Sequence, residues 1–154
     1  MDLSERTQYK QLVAERLLSS PVITQALSGS GEASGAETAK QRIFPYRFTQ
    51  FPLEPPEICI SFDVLTAKSA TASIHTNQLY LWICCPTGLL AGESCETRAD
   101  QLAAEADRLL TGSDDFGIGR LQWEGMQLYE PDPEYYGYVL QYSAPGFSRR
   151  RSVR

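Results

Sequence analysis

Few residues in this chain could do chemistry, and they are scattered. His75 is the only histidine, and it lies in TAKSATASIHTN, a small and polar stretch between two apolar runs. Acid–base catalysis needs an imidazole oriented by a partner in a water-poor pocket, so a solvated loop histidine is expected. Cys84 and Cys85 end an apolar run. A thiol becomes a nucleophile beside a base, a cation or a helix N-terminus, and the run supplies none of these. Adjacent strand residues face opposite ways, so one of the pair is expected in the core and the other on the surface. Together with Cys59 and Cys95 they form no CxxC pair and lack the histidine company of a zinc site. Reduced, mostly buried thiols are the expectation. Asp114-Asp115 and the group Glu130, Asp132, Glu134 offer oxygens to a hard cation, but neither follows the EF-hand spacing. Both read as acidic, solubilising turns. SGSGEASGAETA lacks the Gly-Lys-Ser/Thr ending of a phosphate loop. No catalytic residue, metal ligand or cofactor is therefore assigned, and the protein is expected not to be an enzyme.

Charge is the stronger signal. Residues 1–146 hold 10 Lys/Arg against 19 Asp/Glu, a net of −9, whereas 147–154 (FSRRRSVR) hold four arginines and no acid. An acidic body repels nucleic acid, and the tail seeks something negative. Guanidinium groups pair well with carboxylates and phosphates, so Arg149, Arg150 and Arg151 could meet an acidic neighbouring subunit or nucleic acid, or stay disordered.

The elements that must position these residues follow from periodicity. At 154 residues with 42% apolar and 21% charged content, the chain is one domain with a real core. No stretch approaches the roughly 18 apolar residues of a membrane-spanning helix, and the N-terminus carries no signal-like apolar block. ERTQYKQLVAERLL spaces Tyr9, Leu12, Val13 and Leu17 for an amphipathic helix. Ser20-Pro21 opens a second, short helix. Ser28 to Ala39 reads as a mobile loop. RIFPYRFTQFPLEPPE holds four prolines and four aromatics, which suits an edge strand or an extended connector.

Period-two alternation then marks ICISFDVL and QLYLWICC as strands, joined by a polar connection of about ten residues that suggests a hairpin with a projecting tip. TRADQLAAEADRLLTG returns to helical spacing, with Leu102, Ala103, Ala106, Leu109 and Leu110 on one face, Thr97 and Asp100 as a capping pair, and Gly112 as the stop. GRLQWEGMQLYE changes phase at Gly125, as a bulge would, and YYGYVLQYS forms the last strand. The chain is expected to leave the sheet at Ala144-Pro145-Gly146. The order gives an α+β fold, a mainly antiparallel sheet with helices packed on one face, over residues 1–146, followed by a basic tail, 147–154. Tyr80/Trp82 and Tyr136/Tyr138/Tyr142 lie on two aromatic faces. Either could be core or a free, interface-forming face.

This order resembles the tail terminator and tail-completion (head–tail joining) proteins of long-tailed bacteriophages. The stretches that carry the resemblance are ERTQYKQLVAERLL, RIFPYRF leading to ICISFDV, the hairpin into QLYLWICC, the helix TRADQLAAEADRLLTG and the closing hairpin, together spanning residues 5 to 143. The C-terminal SRRRSVR departs from that pattern. The resemblance implies a structural role in the virion neck or tail, with assembly in the host cytoplasm. Its subunits would form a homo-oligomeric ring, of six by analogy, that caps the tail tube protein and meets the head-side connector, while DNA passes nearby without specific binding. It implies grips at the hairpin tip, where Ser69 and His75 lie, at the loop around Gly29 to Gly35 and in the arginine tail. A neck or head-closure component is the nearest alternative, and a ligand- or peptide-binding α+β module the next.

Overall fold

The computed structural model describes residues 4–28, 35–53, 55–68, 74–92, 95–114 and 120–147. The elements are α1 (Glu5–Leu18), α2 (Pro21–Ser28), α3 (Gly35–Lys40), β1 (Ile43–Phe44), β2 (Cys59–Lys68), β3 (Ile74–Pro86), α4 (Arg98–Leu110), β4 (Gln122–Tyr129) and β5 (Tyr135–Phe147). Five strands form one sheet in the order β1-β2-β3-β5-β4. β1 runs parallel to β2 and every other pair is antiparallel.

Alternation decides what each face buries. Ile60, Phe62 and Val64 of β2, Leu79, Leu81 and Ile83 of β3, and Leu140 and Tyr142 of β5 form one fully buried layer. Onto it pack Val13 and Leu17 of α1, Ile23 and Leu27 of α2, and Leu102, Ala106 and Leu110 of α4. The helices thus cover one face, as the periodicity predicts. The covered aromatic face is the one holding Tyr136, Tyr138 and Tyr142. One end of the opposite face is closed by the proline-rich segment after β1, whose aromatics step across it. Phe44 stacks on Phe48 at 4.2 Å, Phe48 meets Phe51 edge-on at 5.1 Å, and Phe51 lies 4.7 Å from Tyr135. The Leu53 N–H donates to the Tyr135 hydroxyl at 2.9 Å. Cys59, Cys84 and Tyr135 are buried beneath this segment.

α4 begins on the predicted capping box. The Asp100 N–H donates to Thr97 Oγ1 and the Thr97 N–H donates to Asp100 Oδ2, each at 3.0 Å, which satisfies two amides the helix itself leaves open. It stops at Gly112, which takes a left-handed φ of 78° that favours glycine. Two tyrosine hydroxyls of β5 reach up to the helix: Tyr138 donates to Asp100 Oδ1 at 2.7 Å and Tyr142 to Asp107 Oδ1 at 2.9 Å. Those bonds seat α4 on β5.

Several sequence expectations need correction. The Gly-rich stretch is partly ordered: α3 covers Gly35–Lys40, because AETAK is made mostly of good helix formers and Ala39 is fully buried. Leu12 is 39% exposed. α1 buries only Val13 and Leu17, the narrow stripe that faces the sheet. Leu109 is half-buried at the side of its helix, and Leu110 takes the core position. The β2–β3 ladder continues to Lys68↔His75, so the connection is five residues, 69–73, and His75 is a strand residue. Backbone pairing is indifferent to side-chain polarity, which is why a polar stretch continues the ladder. Likewise β5 does not leave the sheet at Ala144-Pro145-Gly146 but runs to Phe147, paired with Ile74. β4 begins opposite Ser143, so beyond it β5 is an edge, where proline is tolerated.

Two predictions follow from this packing. A Cβ on Gly137 would sit 1.7 Å from the Ile83 carbonyl oxygen, so Gly137→Ala should lower stability by about 1–3 kcal/mol, read as a lower urea midpoint with unchanged slope. Glu105 accepts from Arg108 and from the Ser20 hydroxyl, contacts that bring its carboxyl down from 4.5 to about 2, the Arg108 hydrogen bond contributing most. A depressed carboxyl stabilises the fold above its unfolded-state value, and that contribution disappears as pH falls through about 2. Glu105→Gln should therefore lose stability at pH 7 and much less near pH 2, measured as the difference in denaturation midpoint at the two pH values.

Candidate assembly surfaces

The two sheet edges are built differently. Along β2, outside the short stretch paired with β1, α1 supplies cations to the open backbone. Arg6 Nε donates to the Val64 carbonyl at 2.8 Å, and the same guanidinium pairs with Asp63 at 3.0 Å. Lys10 Nζ lies 2.9 Å from Asp63 and donates to the Pro45 carbonyl at 2.7 Å. Charged groups on an edge oppose unwanted strand pairing. This edge is blunted.

β4, the opposite edge, carries no such cover among the described residues. A register shift between Trp123 and Gly125, at the predicted bulge, brings Trp123 opposite Tyr142, Met126 opposite Leu140 and Leu128 opposite Tyr138. Paired residues share a face, so these three side chains lie on the helix side of the sheet. Yet α1 lies over β2 and α4 over β3 and β5, which leaves β4 outside the helix layer. Trp123, Met126 and Leu128 are 46%, 49% and 56% exposed. Trp123 leans edge-on against Tyr142 at 5.6 Å. The result is a continuous apolar row, next to an unpaired strand edge.

A third surface is the β2–β3–β5 arm, which extends past the start of β4. The Thr66 hydroxyl donates to Asn77 Oδ1 across it at 2.9 Å. His75 sits there in register between Lys68 and Gly146. Ser69, Arg149, Arg150 and Arg151, like the loop 29–34, lie outside the described residues. On the face away from the helices, Tyr80 stacks on Trp82 at 5.9 Å, and the Arg47 guanidinium lies 5.5 Å from the Trp82 ring and 5.7 Å from Tyr129.

The thiols are not arranged as nucleophiles. Cys84 and Cys85 are both buried, against the expectation that one would be exposed, because the proline-rich segment covers the second face where Cys84 points. Burial, and then the neighbouring Cys85, pushes Cys59 up to about 12. Burial pushes Cys85 up to about 12, against a smaller opposing pull from Arg98, and raises Cys84 as well. Asp114 pairs with Arg120 at 3.1 Å, and Asp132 Oδ2 accepts from the Glu134 N–H at 3.0 Å. Among the described residues no three His, Cys, Asp or Glu side chains group as metal ligands would. No described helix is long and apolar enough to cross a membrane.

The residues that sequence reasoning missed are Trp123, Met126 and Leu128. Their alternation is plain in GRLQWEGMQLYE, but alternation marks an apolar face without saying whether anything covers it.

Among known proteins, the family model described as YomW matches residues 16–144. No curated protein matches. A solved structure titled "Virion of native gene transfer agent (GTA) particle" is similar at 16% identity, covering 84% of this chain and 100% of that one with a TM-score of 0.47, a score from which a shared fold does not follow.

In the folded protein a thiol reagent at neutral pH should label Cys95, which is exposed, and leave Cys59, Cys84 and Cys85 untouched until denaturant is added. Mass spectrometry after timed labelling checks this, and rapid labelling of Cys84 would show that its cover is open.

Proposed function

The chain belongs to the YomW family, which is phage-associated, and we propose that it is a structural component of a phage virion, acting by assembly and without a catalytic step. The observation that carries this reading is the bare row Trp123, Met126, Leu128 on an unpaired edge. Exposed, contiguous apolar side chains of this size mark a surface that something else covers. An edge of that kind in a lone, freely diffusing chain is an aggregation hazard, which proteins ordinarily blunt. This chain blunts its other edge with Arg6 and Lys10 and leaves β4 open.

Within the virion the finer reading is a tail terminator, supported by the resemblance in element order. Such a subunit would join copies of itself in a ring, meet the tail tube protein on one side and the head-side connector on the other, and assemble in the host cytoplasm before joining the neck. A ring needs two different patches per subunit, one for each neighbour, and edges as unlike as β4 and β2 provide that asymmetry. A net charge of −9 over residues 1–146 suits a passage through which DNA moves without adhering.

Light scattering of the purified chain tests the reading. The expected result is a particle several times the 17.2 kDa chain mass, six-fold if the terminator analogy holds. A single 17.2 kDa species at every concentration would contradict it.

A further inference from the structure

Resting on the ring reading above, we infer that the β4 row of one copy docks into a groove at the β1–β2 edge of the next. The groove lies where α1 meets that edge and has a volume of about 390 Å³. Its walls are Ala14 and Leu18 of α1, Ile43 and Pro45, and Phe62 of β2, with Gln11, Glu15 and Lys40 at the rim. The lining is mainly apolar, as an anchor-binding pocket is.

Four features select a second copy as the occupant. Groove and row lie on the same face of the same sheet, the helix side, because Phe62 and the β5 partners of the row all belong to the helix-packed layer. They lie at opposite ends of the strand order, about 19 Å apart at the usual spacing between strands, so one chain cannot fill its own groove. Apolar projections at one end and an apolar recess at the other make a head-to-tail contact, the kind that propagates and closes into a ring when its rotation allows.

Charge agrees. From Leu121 to Phe147 the chain holds Glu124, Glu130, Asp132 and Glu134 and no lysine or arginine, while the elements around the groove carry both signs, Arg6, Lys10, Arg16, Lys40 and Lys68 against Glu5, Glu15, Glu37 and Asp63 on α1, α3 and β2. An acidic hairpin is repelled less by that mixed surface than by a second acidic hairpin, which disfavours docking on its own kind. The contact is made by side chains entering a recess, not by extending the sheet. Arg6 and Lys10 already hold the outward carbonyls of Val64 and Pro45, which removes acceptors an incoming strand would need.

The test uses the full chain with Cys95→Ser as background, so that the three remaining native thiols are buried. Met126→Cys and Pro45→Cys are introduced together and treated with a short bismaleimide. The expected result is a ladder of covalent oligomers up to the particle size, with no ladder from either single variant. In parallel, Leu128→Asp, whose side chain is 56% exposed in the free chain, should keep its melting temperature and lose assembly, its scattering mass falling to one chain. Covalent dimers from Met126→Cys alone would mean that the row meets its own copy, and would overturn the proposal. So would a full-size Leu128→Asp particle without the ladder, and in that case the ring reading itself would survive. A wild-type chain that is monomeric throughout would overturn both.

Discussion

The seat of α4 on β5 decides what the rest of the molecule can offer. Two carboxylates on one helix, Asp100 and Asp107, accept hydroxyls from Tyr138 and Tyr142 of the strand beneath. Asp100 also closes the helix N-terminus, and the Thr97 backbone bond, followed by the Tyr138 hydroxyl, holds its carboxyl below the ordinary range. On the strand side Tyr138 is pushed up, chiefly by its hydrogen bond to Tyr136 and by burial. Burial, then Asp107, does the same to Tyr142. Both phenols therefore stay protonated donors at any physiological pH. With the helix fixed above β3 and β5, the helix layer ends one strand short of the sheet, and the apolar row of β4 is left facing water.

That arrangement separates the two tasks of the fold. The interior is settled by the apolar layer between α1, α2, α4 and the sheet, with the proline-rich segment sealing the second face over Cys59 and Cys84. The periphery is left unequal: one edge blunted by cations and recessed, the other bare and projecting. Burial keeps Cys59, Cys84 and Cys85 protonated, and Asp132 is engaged by the Glu134 backbone. Under the proposed assembly, such unequal edges would let identical subunits tell two neighbours apart.

Much of the architecture is legible in the sequence because it is written in local periodicity and capping. α1, α2, α4, the four long strands, the Thr97–Asp100 box, the Gly112 stop and the Gly125 bulge all follow from spacing or from residues with few conformational options. What is not legible depends on reach between elements. Both the ladder through His75 and the continuation of β5 past Pro145 come from a neighbouring strand that offers backbone partners, something no side-chain pattern records. The burial of Cys84 comes from a segment more than 30 positions earlier in the chain. The exposure of Trp123, Met126 and Leu128 is the same problem inverted, since their alternation equals that of core strands and only the lateral limit of α4 distinguishes them.

The most direct measurement is the environment of Trp123 as particles form. With Trp82→Phe, Trp123 is the sole indole, and its emission and its quenching by acrylamide can be followed through a dilution series. If the bare row is the assembly surface, emission shifts to shorter wavelength and quenching falls as the particle mass rises. An indole equally accessible in the assembled particle and in the dilute chain would contradict the account.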